Sequence, residues 1–270
     1  MKLFAPSNVL EIKTTFIMNK MKITLVTLLA LISLGSCSIG LKNTWSADDS
    51  EPRVETTRKI EPFNTLLIKG ACDIHYIQAS SPSVKIIAPR NIINKVVTSV
   101  SNGELSAFID KKMFISKKPV EIYVYAPTLN GVHIMGSGDF DAQAVNTDKA
   151  FTLGINGSGD IQIGKLSCAN VNVNVKGSGD VAVGMATCND AAINIMGSGD
   201  ADINFDRARN VSIGIQGSGD VSSTFNRADH VSCNVNGSGD VKLAGDVQEF
   251  QKTIRGSGQV NTRGLRVSGR

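Results

Sequence analysis

Six aspartates recur along the chain at almost constant spacing: Asp139, Asp160, Asp180, Asp200, Asp220 and Asp240. Each closes a Gly-Ser-Gly-Asp tetrad, so the same turn brings Gly136 and Gly138, Gly157 and Gly159, Gly177 and Gly179, Gly197 and Gly199, Gly217 and Gly219, and Gly237 and Gly239 beside those acids. A column of carboxylates on glycine turns suggests calcium, because glycine- and aspartate-rich repeats bind it in nonapeptide β-rolls. Calcium takes six to eight oxygens, however, and this chain offers one carboxylate per 20 residues. The expectation is therefore structural: Ser and Asp accept backbone N–H groups of their own turn, and the two glycines supply positive φ.

Other candidate chemistry is sparse. Polysaccharide lyases and hydrolases need paired carboxylates, or Asp with Lys or Arg, in a groove built by long irregular loops. The uniform repeat leaves no room for such loops, so a β-helical polysaccharide-active enzyme ranks third among the functional readings. The three histidines, His75, His133 and His230, lack zinc-ligand spacing, and no Cys-x-x-Cys pair is present. No phosphate loop, serine elbow or dinucleotide fingerprint occurs. No catalytic residue, metal or cofactor is expected. Arg207, Arg209, Arg227 and His230, interspersed with Asp206, Asn226 and Asp229, form the candidate binding strip, facing an acidic glycan or protein.

The elements that position these residues follow from the repeat. Motif starts are 21, 20, 20, 20, 20 and 19 residues apart, the last opening the variant Gly256-Ser257-Gly258-Gln259. Between turns, apolar residues alternate with polar ones: Ile161 and Ile163, then Val171, Val173 and Val175, with the same slots filled one repeat later by Val181, Val183, Ala191, Ile193 and Ile195. Period two with β-branched residues on one side predicts strands with one buried face. Each repeat is then two strands, a loop near Ser167–Asn170 and the glycine turn. A single such rung cannot bury enough surface to fold alone; stacking supplies both the ladder hydrogen bonds and a continuous core. The prediction is an all-β, single-chain β-solenoid, or parallel β-helix, with rungs of about 20 residues closed by Gly-Ser-Gly-Asp turns. Phe205 and Phe225 should stack inside, and Asn174, Asn194 and Asn234 should form an outward amide ladder. Cys168 and Cys188 fall in the slot held by Ala208 and Ala228, which makes them core fillers and, secondarily, a candidate disulfide. Lys252, Arg255, Arg263, Arg266 and Arg270 should keep the last strand from pairing edge to edge.

The boundaries are legible too. Lys20 and Lys22 precede an apolar run, Ile23–Leu34, too short to span a bilayer and suited to a signal h-region. It ends in Leu34-Gly35-Ser36-Cys37, which resembles a bacterial lipobox. Residues 1–36 are thus expected to be a lipoprotein signal peptide, with 1–17 a start-site artefact or extended n-region. Cys37 is the expected lipidation site and 37–59 a polar tether. The body runs over 60–264, with irregular N-terminal rungs at 60–130 and regular repeats at 131–264. Four of the 28 basic residues and one of the 24 acids precede Cys37, so the rest is nearly neutral. That argues against a nucleic-acid partner, which needs a clustered basic surface.

Pro62-Phe63-Asn64, Gly70-Ala71-Cys72-Asp73, Pro127-Thr128-Leu129 and the Gly-Ser-Gly-Asp series together resemble the head GIN domain family of putative autotransporter adhesins, common in Bacteroidota, over about residues 60–262. The resemblance implies a β-solenoid with an adhesive or other extracellular binding function. The leading expectation is a non-catalytic cell-envelope lipoprotein, held to the outer membrane by its N-terminal lipid and presenting a glycan- or protein-binding face. The alternative is a structural or assembly component with periplasmic partners.

Overall fold

The computed structural model describes residues 45–46, 51–110, 114–115 and 120–269. The expected signal peptide and the expected lipidation site, Cys37, lie outside the described residues. From Gly131 onward the chain winds as a parallel β-solenoid, each strand hydrogen-bonded in parallel to the equivalent strand one rung away. Phe151–Gly157 pairs with Asn170–Gly177, which pairs with Asp190–Gly197, and Ile161–Ser167 pairs with Val181–Thr187. The predicted fold is the one found.

Inside a rung the alternation of buried and exposed residues slips twice, and each slip bends the strand. In the rung after Asp160, Ile161 and Ile163 point inward; Gly164 and Lys165 are both exposed; Leu166 and Cys168 turn inward again. After Ala169 and Asn170 a third inward run follows, Val171, Val173 and Val175. Each rung therefore has three short faces around one core, which continues from Phe63 to Val260. Phe205 and Phe225 stack within it as expected, with ring centroids 5.5 Å apart and planes 8° from parallel. The loop expected near Ser167–Asn170 exists in the earlier rungs. From Ala201 the backbone passes this corner without a break, giving 17-residue strands Ala201–Gly217 and Val221–Gly237.

Rungs of unequal length are absorbed at corners. The 21-residue repeat carries its extra residue in the 147–150 loop, since Asn146 pairs with Ser167 while Phe151 pairs with Val171. The 19-residue repeat drops one residue between the pairs Phe225–Gly245 and Ala228–Val247. There Gly245 takes φ +96°, with a would-be Cβ 1.9 Å from the Phe225 carbonyl oxygen.

The N-terminal region departs from expectation in two ways. Arg53–Lys59, assigned to the polar tether, is a strand paired antiparallel to Ser83–Pro89. Its side chains fix it in place. The Arg53 guanidinium donates to the Ile87 carbonyl at 3.1 Å and pairs with Glu121 at 2.9 Å; Arg58 donates to the Val96 carbonyl at 2.7 Å. The irregular rungs at 60–130 also contain antiparallel pairs, Ser83–Ile87 with Glu121–Tyr125 and Val96–Ser101 with Glu104–Ile109. The parallel columns run on through Thr65–Gly70 and Cys72–Gln78 to Glu104–Ile109 and Val120–Ala126, whose far sides meet the antiparallel partners. The antiparallel strands cap the parallel stack and cover its first edge, which would otherwise be open for pairing.

Candidate ligand-binding face

The turn column is built between rungs. The carboxylates accept backbone N–H groups across rungs, each from the residue in the Asp slot one rung onward. Asp160 N donates to Asp139 Oδ1 at 2.9 Å, Asp180 N to Asp160 Oδ1 at 3.0 Å and Asp200 N to Asp180 Oδ1 at 2.9 Å. Asp220 N donates to Asp200 and Asp240 N to Asp220, both at 2.7 Å, and Gln259 N closes the series on Asp240 at 2.8 Å. At the other end Asp139 N reaches Asp73 Oδ1 at 3.3 Å, which makes Gly70-Ala71-Cys72-Asp73 the first member of the column. Burial pushes the Asp200 carboxyl above its ordinary value; the Asp220 N–H opposes this, and the Asp220 charge adds to it. Among the described residues no group of three His, Cys, Asp or Glu is arranged to hold a metal ion.

Both glycines of each turn approach the rung below too closely for a Cβ, and they differ in backbone conformation. The first, at Gly136 through Gly256, has φ between +126° and +147°. The second does not have the positive φ expected of it; it is held to glycine by close approach. A Cβ on Gly199 would lie 2.1 Å from the carbonyl oxygen of Gly179 in the rung below.

The candidate strip of Arg207, Arg209, Arg227 and His230 spans more than one registered row. The three arginines are exposed around the corner after Phe205 and Phe225. His230 belongs to a different row, in register with Asn210 on one side and Glu249 on the other. That row, Asn170, Asp190, Asn210, His230 and Glu249, walls a groove of about 570 Å3 that runs along the solenoid axis. Its members are linked to one another. Asn210 Nδ2 donates to Asp190 Oδ1 at 2.6 Å, and His230 Nδ1 lies 3.0 Å from Glu249 Oε2. The Asn170 amide, with its nitrogen turned toward the acceptors, donates to the Ala169 carbonyl at 2.8 Å and to Asp190 at 3.3 Å.

The groove opens onto the outward side of the third face, where side chains fall into registered rows. One row is Thr152, Asn172, Ala192, Ser212, Ser232 and Gln251; the next is Gly154, Asn174, Asn194, Gly214, Asn234 and Thr253. Neither carries a charge over these six rungs; further toward the cap the first continues through Gly131 and Thr65 to Glu104, and the second through His133. The expected amide ladder is present between Asn194 Nδ2 and Asn174 Oδ1 at 3.4 Å, and Gly214 interrupts it before Asn234. Row membership comes from residue number modulo one rung, a signal the sequence held. Small polar residues on a strand's solvent side, though, look like any wetted surface until register aligns them.

A second polar cluster lies at the junction of the irregular and regular parts. His75 Nδ1 bonds Asp141, and the His75 ring packs against Tyr123 with centroids 4.7 Å apart. Lys85 Nζ sits 4.6 Å from the Tyr123 ring centroid, and the Tyr123 hydroxyl donates to Glu121 at 3.3 Å. The Asp141 hydrogen bond raises the His75 pKa; partial burial opposes it, and the charges of Asp141, Glu121 and Asp73 reinforce it.

The four described cysteines, Cys72, Cys168, Cys188 and Cys233, are buried and free of disulfide bonds. Burial pushes Cys168 up to about 11, and burial with the neighbouring Cys168 and Asp190 pushes Cys188 up to about 12. Such thiols stay protonated at neutral pH and behave as small apolar fillers.

The chain matches the family model described as "Putative auto-transporter adhesin, head GIN domain" over residues 62–226 and again over 202–269. Among solved structures, a "putative adhesin" from Bacteroides fragilis has a TM-score of 0.70 at 25% identity, covering 78% of this chain and 97% of its own. A "putative adhesin" from Parabacteroides distasonis has a TM-score of 0.66 at 19% identity, covering 81% and 99%. A "putative lipid binding protein" from the same species has 0.65 at 20% identity, covering 81% and 99%. The last two likenesses concern the fold. No curated protein matches the chain. With the family model matched from residue 62 to residue 269, the chain belongs to the head GIN domain family.

Proposed function

We propose that this protein is a non-catalytic module of the bacterial cell envelope, exported and anchored by a lipid on Cys37, that binds an extracellular ligand on the third face of its solenoid. The observation that carries the reading is the uncharged, registered pair of amide and hydroxyl rows beside the groove. Such a surface has many hydrogen-bonding groups held rigidly by the strands beneath, and few polar contacts are spent within it. Family membership supports an adhesive setting. One neighbour of the same fold is named as lipid binding; the groove here is walled by amides, carboxylates and an imidazole, which suit a polar ligand. The leader, with Lys20 and Lys22, the Ile23–Leu34 run and Cys37, supports export and lipidation.

The test is protease and antibody accessibility on intact cells, with lysed cells as control. Digestion on intact cells is the expected result. Protection until lysis would overturn the extracellular reading and move the protein to a structural part among periplasmic partners. Replacing Cys37 by Ser should release the protein from the membrane fraction.

A further inference from the structure

We propose that the third face takes a neutral polysaccharide, laid along the solenoid axis with its hydroxyls against the Asn172–Ser212–Ser232 and Asn174–Asn194–Asn234 rows. This rests on the binding-module reading above and names the ligand class for it.

Charge gives the first argument. From Thr152 to Ser232 and from Gly154 to Asn234 the two rows contain only Thr, Asn, Ala, Ser and Gly. An anionic chain would find no cation in these rows and would meet Asp190 and Glu249 along the groove wall. A polycation would find those acids on one side only, with Lys176 and Arg255 in the row flanking the other.

Hydrogen-bonding capacity gives the second. Asn and Ser side chains each carry both donor and acceptor groups, and a sugar hydroxyl is the partner with the same dual character. The one bond recorded between the central rows' own side chains, Asn194 to Asn174, is long at 3.4 Å and leaves the remaining lone pairs and N–H groups to a ligand. A protein partner would call for aromatic or arginine anchors, and neither residue type occurs in the two rows.

Repetition gives the third. Rungs lie about 4.8 Å apart, so Asn172 to Gln251 presents equivalent groups over roughly 20 Å. Repeating sites at fixed spacing suit a repeating chain, where each added sugar meets the next rung and weak contacts sum.

The experiment is affinity electrophoresis of the purified protein in gels containing dextran, mannan, laminarin or inulin. Alginate and heparin serve as acidic comparators, and flotation with phosphatidylglycerol vesicles serves as the lipid comparator. Ser212→Glu places a charge in the middle of the first row at an exposed position, and Ser212→Thr keeps the hydroxyl. The expected result is retardation by at least one neutral polysaccharide, weakened at least about tenfold by Ser212→Glu and spared by Ser212→Thr, with melting temperature unchanged in both. Retardation by none of the four neutral polymers, or binding only to acidic polymers or vesicles, would overturn the inference. Attachment of whole cells to host matrix, measured in parallel, separates the two layers. If Ser212→Glu abolishes attachment while no neutral glycan binds, the binding face stands and its ligand class falls. If attachment ignores Ser212→Glu, the binding-face reading itself falls.

Discussion

Gly199→Ala tests why the turn motif needs its second glycine. Because φ at Gly199 lies outside the left-handed region, alanine meets no backbone strain there, and any cost must come from the rung below. The added Cβ would lie 2.1 Å from Gly179 O and 2.9 Å from Val175 Cγ1, where ordinary contact begins at 3.4 Å. The corner must lift by more than about 1 Å to relieve the overlap with carbonyl oxygen, since backbone cannot yield as a side-chain tip would. A lift of that size stretches three bonds past useful length: Ser198 N and Gly199 N to Gly177 O, at 2.9 and 3.1 Å, and Asp200 N to Asp180 Oδ1, at 2.9 Å. At about 1 kcal/mol for each bond, with about 1 kcal/mol more for overpacking against Val175, the expected loss is roughly 4 kcal/mol. Urea unfolding followed by far-UV circular dichroism measures it as a lower midpoint at unchanged slope. Ser198→Ala, one residue away and exposed, should stay within about 0.5 kcal/mol of the parent. A Gly199→Ala loss below about 1 kcal/mol would show that the corner yields and that close approach does not fix this glycine.

Three further outcomes follow from the polar contacts. Asp200→Asn keeps an oxygen for the Asp220 N–H and removes a charge that burial disfavours, so it should match or exceed the parent in urea, whereas Asp200→Ala should lose about 1 kcal/mol. The His75 pKa is raised in the folded state, so the stability it brings is complete below its ordinary value of about 6.5 and fades as pH rises through the folded-state value. His75→Gln should flatten that part of the pH profile of the melting temperature, with an effect of at most about 1 kcal/mol for so exposed a pair. Ser223 sits in the core column between Ile203 and Leu243, and its buried hydroxyl has no hydrogen-bond partner. Ser223→Ala should therefore stabilise the fold by about 1 kcal/mol in the same denaturation assay.

The parallel stack was readable because its cause is local and repeated. Val171, Val173 and Val175 alternate as a strand must, and the tetrad marks each corner. Arg53–Lys59 escaped because its partly buried positions include Thr56 and Arg58, whose burial depends on contacts with residues about 30 to 40 positions away. No periodicity within seven residues reveals that. The row that walls the groove was hidden for a related reason. Arg207, Arg209, Arg227 and His230 are close in sequence and similar in charge, but a corner divides them, and His230 joins Asp190, Asn210 and Glu249 through register instead. Likewise, a Gly-x-Gly pair in a turn suggests two positive φ values, and only the neighbouring rung shows that the second glycine answers to a carbonyl oxygen.

The carboxylate column has a direction, and its last member shows what the direction means. Every Asp from Asp73 to Asp240 accepts an amide from the following rung, while Gln259, with no described rung beyond it, donates its own amide and stands in the slot without a carboxylate. Interior rungs are interchangeable, because each meets the same acceptor below and offers the same one above. A duplicated block from Val181 to Asp200 would find matching neighbours at both junctions, and an insertion of any other length would have to be absorbed at a corner, as the 147–150 loop and Gly245 do. The molecule can thus grow in whole units, by duplication within its own coding sequence, gaining about 4.8 Å of reach per unit and extending the rows of the third face by one more set of side chains each time.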